Sequence, residues 1–113
     1  MHYEFVTITA NPPGSGSDPV AILLIALTND RLAAKVRDDL GLILDVYSAE
    51  IVTATIDMCV QRAAVIGGLA LLGELEDTLS NFLTIGPRSM ISAADDPDTT
   101  LSEIACAKFP RRG

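Results

Sequence analysis

Asp18-Pro19-Val20-Ala21-Ile22-Leu23-Leu24-Ile25-Ala26-Leu27-Thr28-Asn29-Asp30-Arg31-Leu32-Ala33-Ala34-Lys35-Val36-Arg37-Asp38-Asp39-Leu40 is the stretch on which the fold turns. Asp18 ahead of Pro19 offers a capping side chain followed by proline at the first helical position. Thr28-Asn29-Asp30 offers a break, with Asp30 capping a second helix over residues 31–40. The charges speak against that break. A short helix there would set Arg31 at its positive end and Asp38 and Asp39 at its negative end, the reverse of what the macrodipole favours. In one helix from Pro19 to Leu40 the conflict at Arg31 shrinks. Ile22, Ile25, Asn29, Leu32, Val36 and Leu40 then follow a helical stripe, and Gly41 serves as the stop. The sequence therefore predicts one long helix.

The same logic extends outward. Ala63–Gly73 carries no charge, hydroxyl or amide over its whole length. Such a run predicts a helix enclosed on all sides, with the rest of the chain packed around it. Helical spacing holds from Met58 and ends at Gly86-Pro87. Upstream, Ser48 can cap and Glu50 suits a first turn, yet Leu42–Tyr47 and Ile51–Ile56 fit a strand equally well. Thr100-Leu101-Ser102-Glu103 is a capping box that opens a last helix, with Leu101, Ile104 and Ala105 inward and Cys106 beside them. Tyr3–Thr9 alternates like a strand. Its partner is to be found in 50–56, in 42–47 or in the same strand of a second chain. Residues 11–18 read as a flexible loop and 109–113 as a frayed basic tail. The expectation is a single domain over residues 1–113, mainly α, of about three helices with a minor N-terminal β element.

Composition bounds what such a domain does. The chain has 113 residues, 49% of them apolar and only 4% aromatic, so aliphatic side chains must make the core. Its formal charge is −7, and Lys108, Arg111 and Arg112 at the end hold three of its eight basic residues; the body before them sets 15 acids against 5 bases, or −10. A field of that sign repels nucleic acid and anionic membranes and attracts basic surfaces. Two cysteines far apart make no framework and point to reduced thiols in a cytoplasmic protein. No signal peptide is legible, and as a helix the apolar run 63–73 spans ~16 Å against a ~30 Å hydrocarbon core.

Motifs for chemistry fall short. Gly14-Ser15-Gly16 after a strand has the order of a phosphate loop, but its third glycine is replaced by Pro19 and Asp18 would repel the anion. His2 is the one imidazole, and one His with two distant Cys cannot complete a zinc site. Asp95, Asp96 and Asp98 lack the glycine and closing glutamate of a calcium loop. Cys59 on an apolar helix face reads as a structural thiol. No catalytic, cofactor or metal residue is expected.

Two acidic patches remain, Glu74, Glu76 and Asp77 in one turn, and Asp38 with Asp39. They predict a surface for a basic groove on another protein. One form of this is occupation of a nucleic-acid-binding surface in place of the phosphate backbone. Ala63, Ala64, Gly67 and Gly68 form a stripe of small residues that admits a close backbone, either of this chain or of a second copy in a homodimer. The expected function is thus a non-enzymatic adaptor or inhibitor that binds protein. The alternative is a small-molecule-binding or enzymatic domain with its site between helix and sheet.

Overall fold

The protein is described by a computed structural model that covers residues 2–11, 16–79 and 82–109. Nine elements follow one another: β1 (His2–Ala10), β2 (Asp18–Ala26), β3 (Arg31–Val36), α1 (Leu40–Ile43), α2 (Val46–Ile66), α3 (Gly68–Thr78), β4 (Leu83–Ile85), β5 (Ser89–Ser92) and α4 (Pro97–Lys108). Five antiparallel strands make one sheet, ordered β3-β2-β1-β4, with β5 also on β1. The mainly helical expectation is overturned, because three strands lead the chain and the sheet runs through the centre of the molecule.

The predicted helix over 19–40 is in fact the β2–β3 hairpin. Val20 to Ala26 are all buried, none more than 6% exposed. Ala21, Leu23 and Ile25 belong to the core that includes α2 and α3, whereas Ile22, Leu24 and Ala26 belong to the core that includes α4. A strand covered on both faces needs apolar side chains at every position and so shows no alternation. An unbroken apolar run also satisfies any helical stripe drawn through it, which is why the stripe was uninformative. Thr28-Asn29-Asp30 is the hairpin turn, with Asp30 at φ 57 and its N–H donating to the Ala26 carbonyl at 2.8 Å. Aspartate is among the few non-glycine side chains that visit this left-handed region. The macrodipole argument fails with the helix it assumed: Arg31 opens a strand, and Asp39 lies beyond its end. Asp18 and Pro19 start β2 opposite Ala10 and Thr9, next to a register shift at Ile8/Thr9.

β1 is the inner strand. It pairs with β2 along Tyr3–Ala10, so its partner is neither 42–47 nor 50–56. Its other edge is covered in two pieces, Ile8–Ala10 by β4 and His2–Phe5 by β5. The two pieces lie one residue out of register with each other, with Pro87 between them. Proline cannot donate to a ladder, and an interrupted edge is where it is tolerated.

The long helix expected to run to residue 85 is two helices and a strand. Asp45 caps α2 by accepting from Ser48 N–H at 2.7 Å. α2 buries one stripe, Val52, Ile56, Cys59 and Ala63. It ends at Gly67, whose φ of 93 turns the chain into α3, which buries Leu71, Leu72 and Leu75. Ala64, Val65, Leu69 and Ala70 are exposed. The run 63–73 is therefore not enclosed, and β2 takes the central place assigned to it.

α4 covers the opposite face of the sheet through Leu101 and Ile104. It opens at Pro97 with Asp96 as cap, accepting from Thr99 N–H at 2.8 Å, so it starts before the predicted capping box. Leu101, Ile104 and Ala105 are buried as expected, and Cys106 is exposed. Residues 12–15 of the predicted loop and 110–113 of the predicted tail lie outside the described residues.

Candidate functional site

The structure separates the residues that the sequence grouped as acidic faces. Glu74 and Glu76 both meet arginines distant in sequence. Arg62 on α2 forks onto Glu74, with Nη2 2.9 Å and Nε 3.3 Å from its two oxygens. Arg88, between β4 and β5, grips Glu76 in the same way at 2.8 and 3.1 Å and lies 3.9 Å from Glu4 on β1. The guanidinium hydrogen bonds hold both carboxyls below the usual glutamate range and raise both arginines. Asp77 is exposed and forms no ion pair among the described residues. Its patch is therefore largely neutralised within the chain.

Asp39 has a similar fate. Arg37, whose side chain is 2% exposed, is bound to Asp39 through Nε and Nη2, donates from Nη1 to the Pro19 carbonyl at 3.1 Å, and stands 5.9 Å over the Phe109 ring. This knot ties the end of β3 to the start of β2 and to the end of α4. Asp39 is structural, and Asp38 beside it is the exposed member of the pair.

Asp38 instead joins carboxylates that the sequence had not linked to it. A cleft of about 670 Å³ opens between the end of β3, α1 and α2. Val36, Leu40, Val46, Ala49 and Ala54 supply apolar lining, and Asp38, Glu50 and Asp57 supply the charge. These three carboxylates form no ion pair and no side-chain hydrogen bond among the described residues. The one cation in the lining, Arg37, is already committed to Asp39. Glu50 and Asp57 are seven apart and so lie on one face of α2 two turns from each other, a signal available from spacing alone. Asp38 reaches them because the chain turns through α1, which no periodicity disclosed.

The stripe of small residues does admit a close backbone, that of its own chain. A Cβ on Gly68 would lie 2.8 Å from Ile25 Cγ1, and one on Gly67 would overlap the Asp30 carboxylate. Asp30 accepts from Leu69 N–H through Oδ1 at 2.8 Å and from Gly68 N–H through its carbonyl at 2.9 Å. The hairpin turn thus caps α3 in place of a local side chain. Ala63 is buried beneath this junction, and Ala64 is exposed. Beside it lies a second cleft between helix and sheet, about 500 Å³, lined by Asn29–Leu32, Val60, Ala63, Ala64 and Gly67.

Comparison with protein-family models, curated proteins and solved structures finds no match.

Groups with catalytic chemistry stay scattered. His2 Nδ1 lies 2.6 Å from Ser92 Oγ on the exposed β1–β5 edge, and neither residue lines the clefts described above. Cys59 is buried, and desolvation pushes its thiol up, the opposite of activation. Among the described residues no group of three or more His, Cys, Asp or Glu is placed to hold a metal. Asp96 is spent on capping, and its carboxyl is lowered by the Thr99 N–H. Gly16 is exposed, and Gly14 and Ser15 lie outside the described residues. No helix among the described residues is long and apolar enough to cross a membrane.

Proposed function

We propose that this protein is a non-enzymatic binding domain that docks a basic, amphipathic segment of another protein in the cleft between β3, α1 and α2. The observation that carries this is an open, partly apolar depression lined by three carboxylates, Asp38, Glu50 and Asp57, that form no ion pair among the described residues. Asp39, Glu74 and Glu76, other members of the two acidic patches that the sequence grouped, are matched by arginines, whereas these three carboxylates are not matched among the described residues. A segment with lysines or arginines flanking apolar side chains satisfies both features, and the −7 net charge steers it in. Whether the domain serves as adaptor or inhibitor depends on what that segment does when free. Pull-down from lysate at low and high salt tests the proposal. A partner that elutes as salt rises, and that Asp38→Lys/Glu50→Lys fails to retain, supports it. Equal capture by that double variant and the wild type overturns it.

The cleft at Asn29–Leu32 and Gly67 supports a second reading, a small-ligand site between helix and sheet. A small molecule that raises the melting temperature by mass action, and loses the effect in Arg31→Ala, favours it.

A further inference from the structure

The outward side of α2 carries a pattern that its own fold does not use. Tyr47, Ile51, Ala54, Met58, Gln61 and Val65 are spaced four, three, four, three and four apart. That is the seam of a two-stranded coiled coil over three heptads, with Ile51, Met58 and Val65 at the a positions and Tyr47, Ala54 and Gln61 at d. The buried stripe Val52, Ile56, Cys59 and Ala63 lies on the opposite side of the helix. Tyr47, Met58 and Val65 are 73%, 69% and 78% exposed, so the seam's largest side chains stand in solvent. Isolated exposed apolar side chains need no explanation. Five apolar positions and one glutamine in heptad register along a helix of 21 residues do.

We propose that this seam pairs α2 with α2 of a second copy, in parallel, about a two-fold axis along the helix. Two observations single out a second copy as the occupant. The first is charge. In this register Asp57 is a g position and Arg62 the e position five residues on, so parallel pairing sets Asp57 of each copy against Arg62 of the other, twice over. Arg62 is half exposed and bound to Glu74, so in the pair it would be shared between the two carboxylates. An antiparallel pairing would face Asp57 with Asp57. The second is symmetry. Tyr47, Met58 and Val65 stand in solvent along one line of one helix, so the same patch on a second copy meets it self-complementarily about a two-fold axis. β-branched Ile51 and Val65 at a are of the kind found in parallel pairs, and parallel pairing sets the Gln61 amide at d against its copy, where the two can hydrogen-bond. The seam and its flank share Ala54 and Asp57 with the acidic cleft, and Glu50, seven residues before Asp57, is a g position too, so the pairing flanks that side of the cleft and leaves Asp38 free.

Light scattering across a dilution series gives the first result, and wild type is expected to pass from dimer to monomer. Met58→Glu and Val65→Glu, both on solvent-facing positions, are each expected to raise the dimer dissociation constant at least tenfold with unchanged circular dichroism. Asp57→Arg should do the same, more strongly at low salt. In a Cys106→Ser background, Met58→Cys should form an intermolecular disulfide, because parallel pairing sets residue 58 against itself. A wild type that is monomeric at every concentration overturns the proposal, as does a dimer that tolerates both glutamates. A dimer that cross-links through Tyr47→Cys with Val65→Cys, and not through Met58→Cys, overturns the parallel pairing. Met58→Glu, Val65→Glu and Met58→Cys leave Asp38, Glu50 and Asp57 intact, so the outcome of those variants is distinct from failure of the proposed cleft.

Discussion

Gly67→Ala offers the sharpest test of how the two halves of this fold are joined. Gly67 sits at φ 93 and ψ 155, a region essentially closed to side chains, and holding alanine there costs ~1–3 kcal/mol. The added Cβ would also overlap the Asp30 carboxylate, which must then leave. With it goes the hydrogen bond to Leu69 N–H that caps α3, and losing a cap costs ~0.5–2 kcal/mol. The two effects together predict a loss of about 2–5 kcal/mol, a large part of the ~5–15 kcal/mol by which a domain is stable. Urea unfolding followed by circular dichroism measures it, with the slope unchanged and the midpoint lowered. Asp30→Gly alone, which tolerates φ 57, should lose the cap only, about 1 kcal/mol. The double variant should be less destabilised than the sum of the singles, because with Asp30 truncated the new Cβ meets less. A Gly67→Ala protein within about 0.5 kcal/mol of wild type would refute the reasoning, since that is the range of surface changes away from such features. Strict additivity would refute the steric part alone.

Asp39→Ala should cost about 2–4 kcal/mol in the same assay, because it leaves the buried Arg37 guanidinium short of its carboxylate; Arg37→Met with Asp39→Ala should recover much of that loss. On acidification, Glu74 and Glu76 contribute stability that is present above the ordinary glutamate value and lost as pH falls through their lowered folded values. Glu74→Gln/Glu76→Gln should therefore show a shallower fall of Tm between about pH 6 and pH 3 than wild type, followed by calorimetry. Glu103 works with the opposite sign. Its hydrogen bond with Asp95 raises its carboxyl, so its contribution is complete at low pH and is lost as pH rises through the raised value, and Glu103→Gln should flatten that weak slope.

Local chemistry was legible in the sequence, and long-range partners were not. Tyr3–Thr9 announced a strand because polar and apolar positions alternate there. Leu101, Ile104 and Ala105 announced the inward side of α4 because polar residues separate them. Val20–Ala26 announced nothing, since a strand buried on both faces erases the periodicity that distinguishes it from a helix. The turn residues Thr28-Asn29-Asp30 held the deciding signal, and the charges at Arg31, Asp38 and Asp39 that contradicted a helix were evidence against the helix itself. The glycines at 67 and 68 did mark a close approach, but a hairpin tip rather than a helix makes it. Of the acidic residues, Asp38 kept its exposed place, whereas Asp39, Glu74 and Glu76 found arginines. Glu74 and Glu76 meet theirs 12 positions away, beyond the reach of any local pattern.

The split cover on the outer edge of β1 has a consequence for synthesis. The meander β1–β2–β3 is complete once residue 36 has emerged, and its contacts are all between neighbours in sequence. The other side of β1 waits for β4 and β5, the latter starting at residue 89. At ~5–20 residues per second a ribosome needs roughly 3–10 s to supply that interval. Throughout it the nascent chain displays the open outer edge of β1, with free amides and carbonyls on that side and the apolar β2–β3 hairpin behind it. Such an edge is a template for any other strand that passes. The strand made first is the last to be finished, and the demand for chaperone protection during translation should be set by that delay.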